Sequence, residues 1–151
     1  MQRKSLVSIV TAALLGASLY AFGETTPEDA ADYRIATMTA LRGHVFAASL
    51  ISRGLVEDQG FLINHAQGIA NGVAELHRVF PAGSPIEGSE ALPVIWEKPD
   101  EFAAAIERAK EATTAFVEVA ASGDEEAIGA AFRNVGMACR GCHDDFRVEQ
   151  D

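Results

Sequence analysis

From residue 26 onward, apolar residues recur at three- and four-residue steps, the period of an α-helix with one face against a core. Ile35, Met38, Leu41, Val45 and Ala48 trace the first such face. Thr26-Pro27-Glu28-Asp29 stands ahead of it: a capping hydroxyl, proline at the first helical position, then acids in the first turn. This helix is expected to run to about Arg53, with Gly54 as its stop. Phe61 or Leu62, then Ala66, Ile69, Val73, Leu76 and Val79 mark a second helix of similar length. Pro81-Ala82-Gly83-Ser84-Pro85 ends it, and Pro93 and Pro99 extend the punctuation into a long loop. Pro99-Asp100-Glu101 opens a third helix, whose inward set is Phe102, Ile106, Ala109, Thr113, Phe116, Val117 and Ala120. Ser122-Gly123-Asp124-Glu125-Glu126 is a short break with a new cap, and a fourth helix carries Ile128, Phe132, Val135, Ala138 and Cys142. No segment alternates with period two. Short links within the first and second pairs make their helices antiparallel neighbours. The expected fold is all-α: an antiparallel four-helix bundle with one long connection between its second and third helices.

The first residues follow a different pattern. Arg3 and Lys4 precede the apolar run from Leu6 to Leu15, and small residues with Ala21-Phe22-Gly23 lead into the polar Glu24-Thr25-Thr26. A basic start, a short apolar stretch and small residues two apart make a secretory signal, cleaved near Gly23–Glu24. The run is broken by Ser8, Thr11, Gly16 and Ser18 and is short for a membrane span of about 20 residues. Residues 1–23 are therefore read as a signal peptide and 24–151 as the bundle, with no membrane span once the signal is gone.

Charge narrows the range of partners. The 151 residues carry 12 basic and 22 acidic side chains, a balance of −10. Loss of residues 1–23 removes two basic residues and no acid, leaving 128 residues at −12. Nucleic acid and anionic membrane surfaces call for clustered Lys and Arg and are excluded as partners. A redox partner with a basic docking face fits this balance.

Both cysteines of the chain fall in Cys139-Arg140-Gly141-Cys142-His143, the C-x-x-C-H pattern of c-type haem attachment. Thiols three residues apart share one helical face, so each can add to a vinyl group of one haem while the adjacent imidazole reaches the iron. A zinc site wants two further Cys or His ligands at short spacing, and a thioredoxin-like dithiol wants a βαβ context. Neither is supplied. An exported helical chain with no other cysteine favours one covalent haem c over these and over a simple disulfide.

Iron held by one histidine leaves a sixth position, for which Met38, Met137, His44, His65 and His77 are candidates. Met137 lies inside the attachment segment, on the wrong side to reach across the ring. The three histidines are scattered and read as solvated or core imidazoles. Met38 sits on the first helix with Arg34 one turn before and Leu41 one turn after. A methionine on such a stripe is usually packing, yet a thioether suits haem iron and raises its potential. Arg34 is either a surface ion pair or a partner for a haem propionate.

From about Pro27 to Arg147 the chain resembles the class II c-type cytochromes, the cytochrome c′ family of bacterial periplasmic haem proteins. Three features carry the likeness: Tyr33-Arg34 followed by Met38, Ile95-Trp96 before the third helix, and the last helix from Gly123-Asp124 through Ala130-Ala131-Phe132 to Gly136-Met137-Ala138-Cys139-Arg140-Gly141-Cys142-His143-Asp144-Asp145-Phe146-Arg147. The resemblance implies Cys139 and Cys142 as thioether sites, His143 as proximal ligand and Arg34 facing a propionate. It also implies that the residue at position 38 sets the type: an apolar non-ligand leaves iron open to NO or CO, whereas methionine marks the low-spin, cytochrome c-556 branch. Phe146 stands where many relatives have tyrosine, which removes a hydroxyl near the proximal side. Dimers occur in the family, so a homodimer is a possible assembly. The expectation is a periplasmic electron-transfer protein with iron between His143 and Met38, not an enzyme. A five-coordinate gas-binding protein is the alternative. The acidic pairs Glu125-Glu126 and Asp144-Asp145 read as a helix-start device and a solvated face, not as a catalytic dyad.

Overall fold

The computed structural model describes residues 25–84 and 88–149, so the expected signal segment lies outside the described residues. Helix α1 spans Pro27–Ser52. The Thr26 hydroxyl accepts from the Asp29 amide at 3.0 Å and donates to the Asp29 carboxylate at 2.8 Å. Gly54 then turns the chain at φ +67°, a conformation that favours glycine. Helix α2, Leu62–Ala74, starts without a side-chain cap at Phe61. The carboxylate of Asp58 serves instead, accepting from the amides of Gly60, Phe61 and Leu62 at 2.8–3.0 Å.

The second helix ends earlier than its periodicity suggests. After Ala74 the chain tightens into a 3₁₀ turn at Leu76–Arg78. Tightening rotates both Leu76 and Val79 into the core, and it leaves the Val79 carbonyl free for a partner on α1. The long connection also contains structure that its prolines conceal: a single helical turn, α3, at Val94–Glu97. Trp96 in that turn donates from Nε1 to the Pro81 carbonyl at 2.9 Å, drawing the two ends of the loop together.

Helix α4 covers Pro99–Ala120 and α5 covers Glu125–Phe146. Asp124 caps α5, accepting from the Ala127 amide at 3.0 Å. Together α1, α2, α4 and α5 form the expected four-helix bundle. An isolated bridge between Ala91 and Arg147 is the extent of β pairing among the described residues. There Leu92 donates its amide to the Phe146 carbonyl and Val148 to that of Glu90, which pins the loop to the end of α5.

The core runs through α2, α4 and α5. Leu62, Ile69, Val73, Phe116 and Val135 are among its fully buried side chains. Rings pack edge-on along one end, Phe80 with Phe102 at 4.8 Å and Phe102 with Phe146 at 5.1 Å between centroids. Helix α4 packs closely on α5 and on α2, but α1 touches α5 only sparsely.

Candidate haem site

Cys139 and Cys142 sit three residues apart on α5, and both are packed against the core cluster. Their thiols are free, so no disulfide competes for them. Burial pushes both thiols up, Cys142 to about 11 with further help from Cys139 and Asp145. His143 lies next along the helix with its side chain reaching solvent. Desolvation by the surrounding chain, then the Arg147 guanidinium, holds its imidazole below the ordinary histidine value. A neutral imidazole is the form that binds iron. Arg147 is itself tied to Glu90, with Nε donating at 2.9 Å and Nη2 at 2.6 Å from the carboxylate.

Across the bundle, α1 buries Ala30, Ala31 and Arg34 near its start and Ala48 near its end. Between them Met38, Leu41 and Val45 pack on the core yet stay only part-buried. An apolar row left half-covered on α1, with two unpaired thiols facing the same core from α5, suits a flat apolar macrocycle lying between the helices. The residues present therefore fit a covalent haem.

Arg34 is not a surface ion pair. Its side chain is 5% exposed; Nη1 donates to the Val79 carbonyl at 3.2 Å, and Nη2 reaches the Ser84 carbonyl at 3.5 Å and the Ser89 hydroxyl at 3.4 Å. Its guanidinium carbon also lies 4.9 Å from the Phe80 ring centre and 5.9 Å from that of Trp96, within cation–π range. Burial pushes its pKa down, but a guanidinium stays charged at any physiological pH. The sequence could not show this role, because every partner is at least 45 residues away.

The other candidates separate. Met137 is 65% exposed and lines an outward groove with Arg133 and Arg140, away from the core. His77 is exposed on the 3₁₀ turn. His44 and His65 are not scattered as the sequence suggests: they meet across α1 and α2, with Nδ1 atoms 3.2 Å apart. A separation of 21 residues hides such a meeting, which needs the antiparallel pairing of the helices. Phe146 is buried against Phe102. Glu125 and Glu126 occupy the exposed first turn of α5, and Asp144 and Asp145 are exposed near its end.

A family model described as cytochrome C′ matches residues 29–147. The chain belongs to the cytochrome c′ family. Cytochrome c′ of Pararhodospirillum photometricum is 34% identical over 123 residues, covering 81% of this chain and 98% of that protein. Cytochrome c-556 of Agrobacterium tumefaciens is 27% identical over 124 residues, covering 80% and 95%. Among solved structures, cytochrome c prime from Shewanella frigidimarina superposes with a TM-score of 0.77 at 28% identity, covering 82% of this chain and 98% of that one. A nitric oxide complex of a variant of the Alcaligenes xylosoxidans protein gives 0.76 at 26%, covering 83% and 98%. As a cytochrome c′ family member the chain is a haem protein, with haem c as its covalent cofactor.

Proposed function

We propose that this cytochrome c′ family member is an exported, periplasmic electron carrier. Cys139 and Cys142 would hold the haem c, His143 and Met38 would ligate its iron, and Arg34 would face a propionate. The observation that carries this reading is the place of Met38: on the inward row of α1, one turn after a buried arginine, half-covered and packed on the core that also holds both thiols. When bound, haem supplies one-electron iron chemistry. The chain does the rest. Desolvation and then Arg147 lower the pKa of His143, which favours the neutral imidazole that would ligate iron. As an iron ligand, the Met38 thioether would favour the ferrous state and raise the potential. Leu41 and Val45 keep water from that side, and Arg34 offers a buried, permanently charged counterpart to a carboxylate. The acidic surface suits a partner with a basic docking face.

A second reading has its own support. The solved relatives include a nitric oxide complex and a carbon monoxide complex of Alcaligenes xylosoxidans variants. These weigh toward a gas-binding protein, whose iron would be left to a small diatomic ligand. In that reading Met38 is a packing residue only. The relative named cytochrome c-556 is a more distant match than the cytochrome c′ of Pararhodospirillum photometricum.

The absorption spectrum of the ferrous haem-loaded protein separates the two. A sharp low-spin α-band that is indifferent to carbon monoxide is expected, and Met38→Ala should broaden it and create a carbon monoxide response. A broad high-spin spectrum in the unaltered protein, already responsive to the gas, would overturn the Met38 assignment and leave the gas-binding reading standing.

A further inference from the structure

Two imidazoles outside the haem chemistry meet where α1 packs on α2. His44 of α1 and His65 of α2 are both half-buried, with Nδ1 atoms 3.2 Å apart, ring centres 5.5 Å apart and planes tilted by 58°. Two histidine nitrogens bound to one tetrahedral cation at about 2.0–2.1 Å would stand about 3.3 Å apart. The pair already has this bite. In the metal-free protein one Nδ1 donates to the other at this distance, and a cation would take the place of the shared proton.

The surroundings hold the rings and leave a way in. The His44 ring lies against the backbone of α2 at Gly68, where a Cβ would come within 2.6 Å of its Cε1 and Nε2. Glycine there makes the room that the imidazole fills. His65 opens onto a surface cleft of about 460 Å³, lined also by Glu57, Gln59 and Phe61. Among the described residues no group of three or more His, Cys, Asp or Glu side chains is preassembled. The protein thus offers two nitrogen ligands and leaves the remaining positions to water.

We infer that His44 and His65 form an open, two-histidine site for a borderline transition-metal cation that ties α1 to α2. Imidazole suits Cu(II), Ni(II) and Zn(II), and Cu(II) binds nitrogen sites most strongly in the divalent series. The strongly acidic chain raises the local concentration of such cations.

The test titrates Cu(II), and separately Zn(II), into the haem-loaded protein in a non-coordinating buffer, with Cys139, Cys142 and His143 already engaged. Calorimetry should show one equivalent bound, and the bound Cu(II) should give an electron paramagnetic resonance signal split by two nitrogens. His44→Asn or His65→Asn should weaken binding at least about tenfold, because one of two protein ligands is lost; His77→Asn should leave it unchanged. Haem absorption and metal-free melting curves establish that each variant is folded. For the unaltered protein alone, the nitrogen splitting decides even if a variant fails to fold. No saturable equivalent, a copper signal without nitrogen splitting, or binding that survives both substitutions would overturn the site.

Discussion

Along α4, seven residues from Phe102 to Ala120 are buried, and the helix packs closely on α5. Helix α1 is four residues longer, yet it buries only Ala30, Ala31, Arg34 and Ala48. It also exposes Tyr33, Ile35 and Phe46 to solvent. The α4–α5 side is closed by protein side chains alone, with Phe116 and Phe132 at 5.4 Å between ring centres. Helix α1 keeps a half-covered apolar row, and α5 carries two part-buried thiols packed on the same core. One side is finished by polypeptide and the other is shaped for a group attached to it.

The sharpest way to break this contrast is to remove the attachment points. Replacing Cys139 and Cys142 with Ala should abolish covalent haem completely, read by haem staining on a denaturing gel. It should also lower the melting temperature by loosening α1, while α4 and α5 retain their helical signal. Equal loss of all four helices would show that the α4–α5 side is not independently closed. Next in size, Phe116→Ala hollows out the sealed side and should cost about 3–5 kcal/mol by denaturant unfolding, with little change in the haem spectrum. A spectral shift as large as that of Met38→Ala would deny the separation of the two sides.

A smaller effect is expected at Arg34. Arg34→Leu leaves the Val79 and Ser84 carbonyls without their donor and should cost about 1.5–3 kcal/mol. Arg34→Lys should recover little of it, since one ammonium cannot reproduce the fork or stack on Phe80 and Trp96. Full rescue by lysine would reduce the role of Arg34 to charge. The smallest effect lies on the exposed face of α1. The Tyr33 hydroxyl donates to Glu75 at 2.6 Å, and that bond and the carboxylate's charge raise the phenol above its usual value. The neutral form is favoured by folding, so its slight stabilisation is present below pH about 10 and is lost as pH rises through the folded-state value. Tyr33→Phe should remove that alkaline dependence alone, checked by melting curves on either side of pH 10.

Much of the bundle was legible because its signals are local. Thr26-Pro27, Gly54, Gly123-Asp124 and the apolar spacing each act within a turn of the residues they govern. The haem box was legible for the same reason, with both thiols and the imidazole inside five residues. What escaped depends on distant partners. The end of α2 at Ala74 follows from drawing Leu76 and Val79 into a core built by other helices, and α3 hides among prolines because Trp96 is held from Pro81. Asp58 caps α2 from four residues before its start. The His44–His65 contact and the clamp made by Arg34 needed α1 to be folded back along its neighbours before they could be seen.

That clamp has a consequence for how the molecule breathes. A single guanidinium joins the first turns of α1 to carbonyls at Val79 and Ser84. The loop therefore cannot lift away unless α1 gives up its grip, nor can the start of α1 fray alone. Amides of residues 30–34 and 79–84 should exchange with deuterium as one cooperative unit, sharing a single opening free energy, although 45 residues of chain separate the contact.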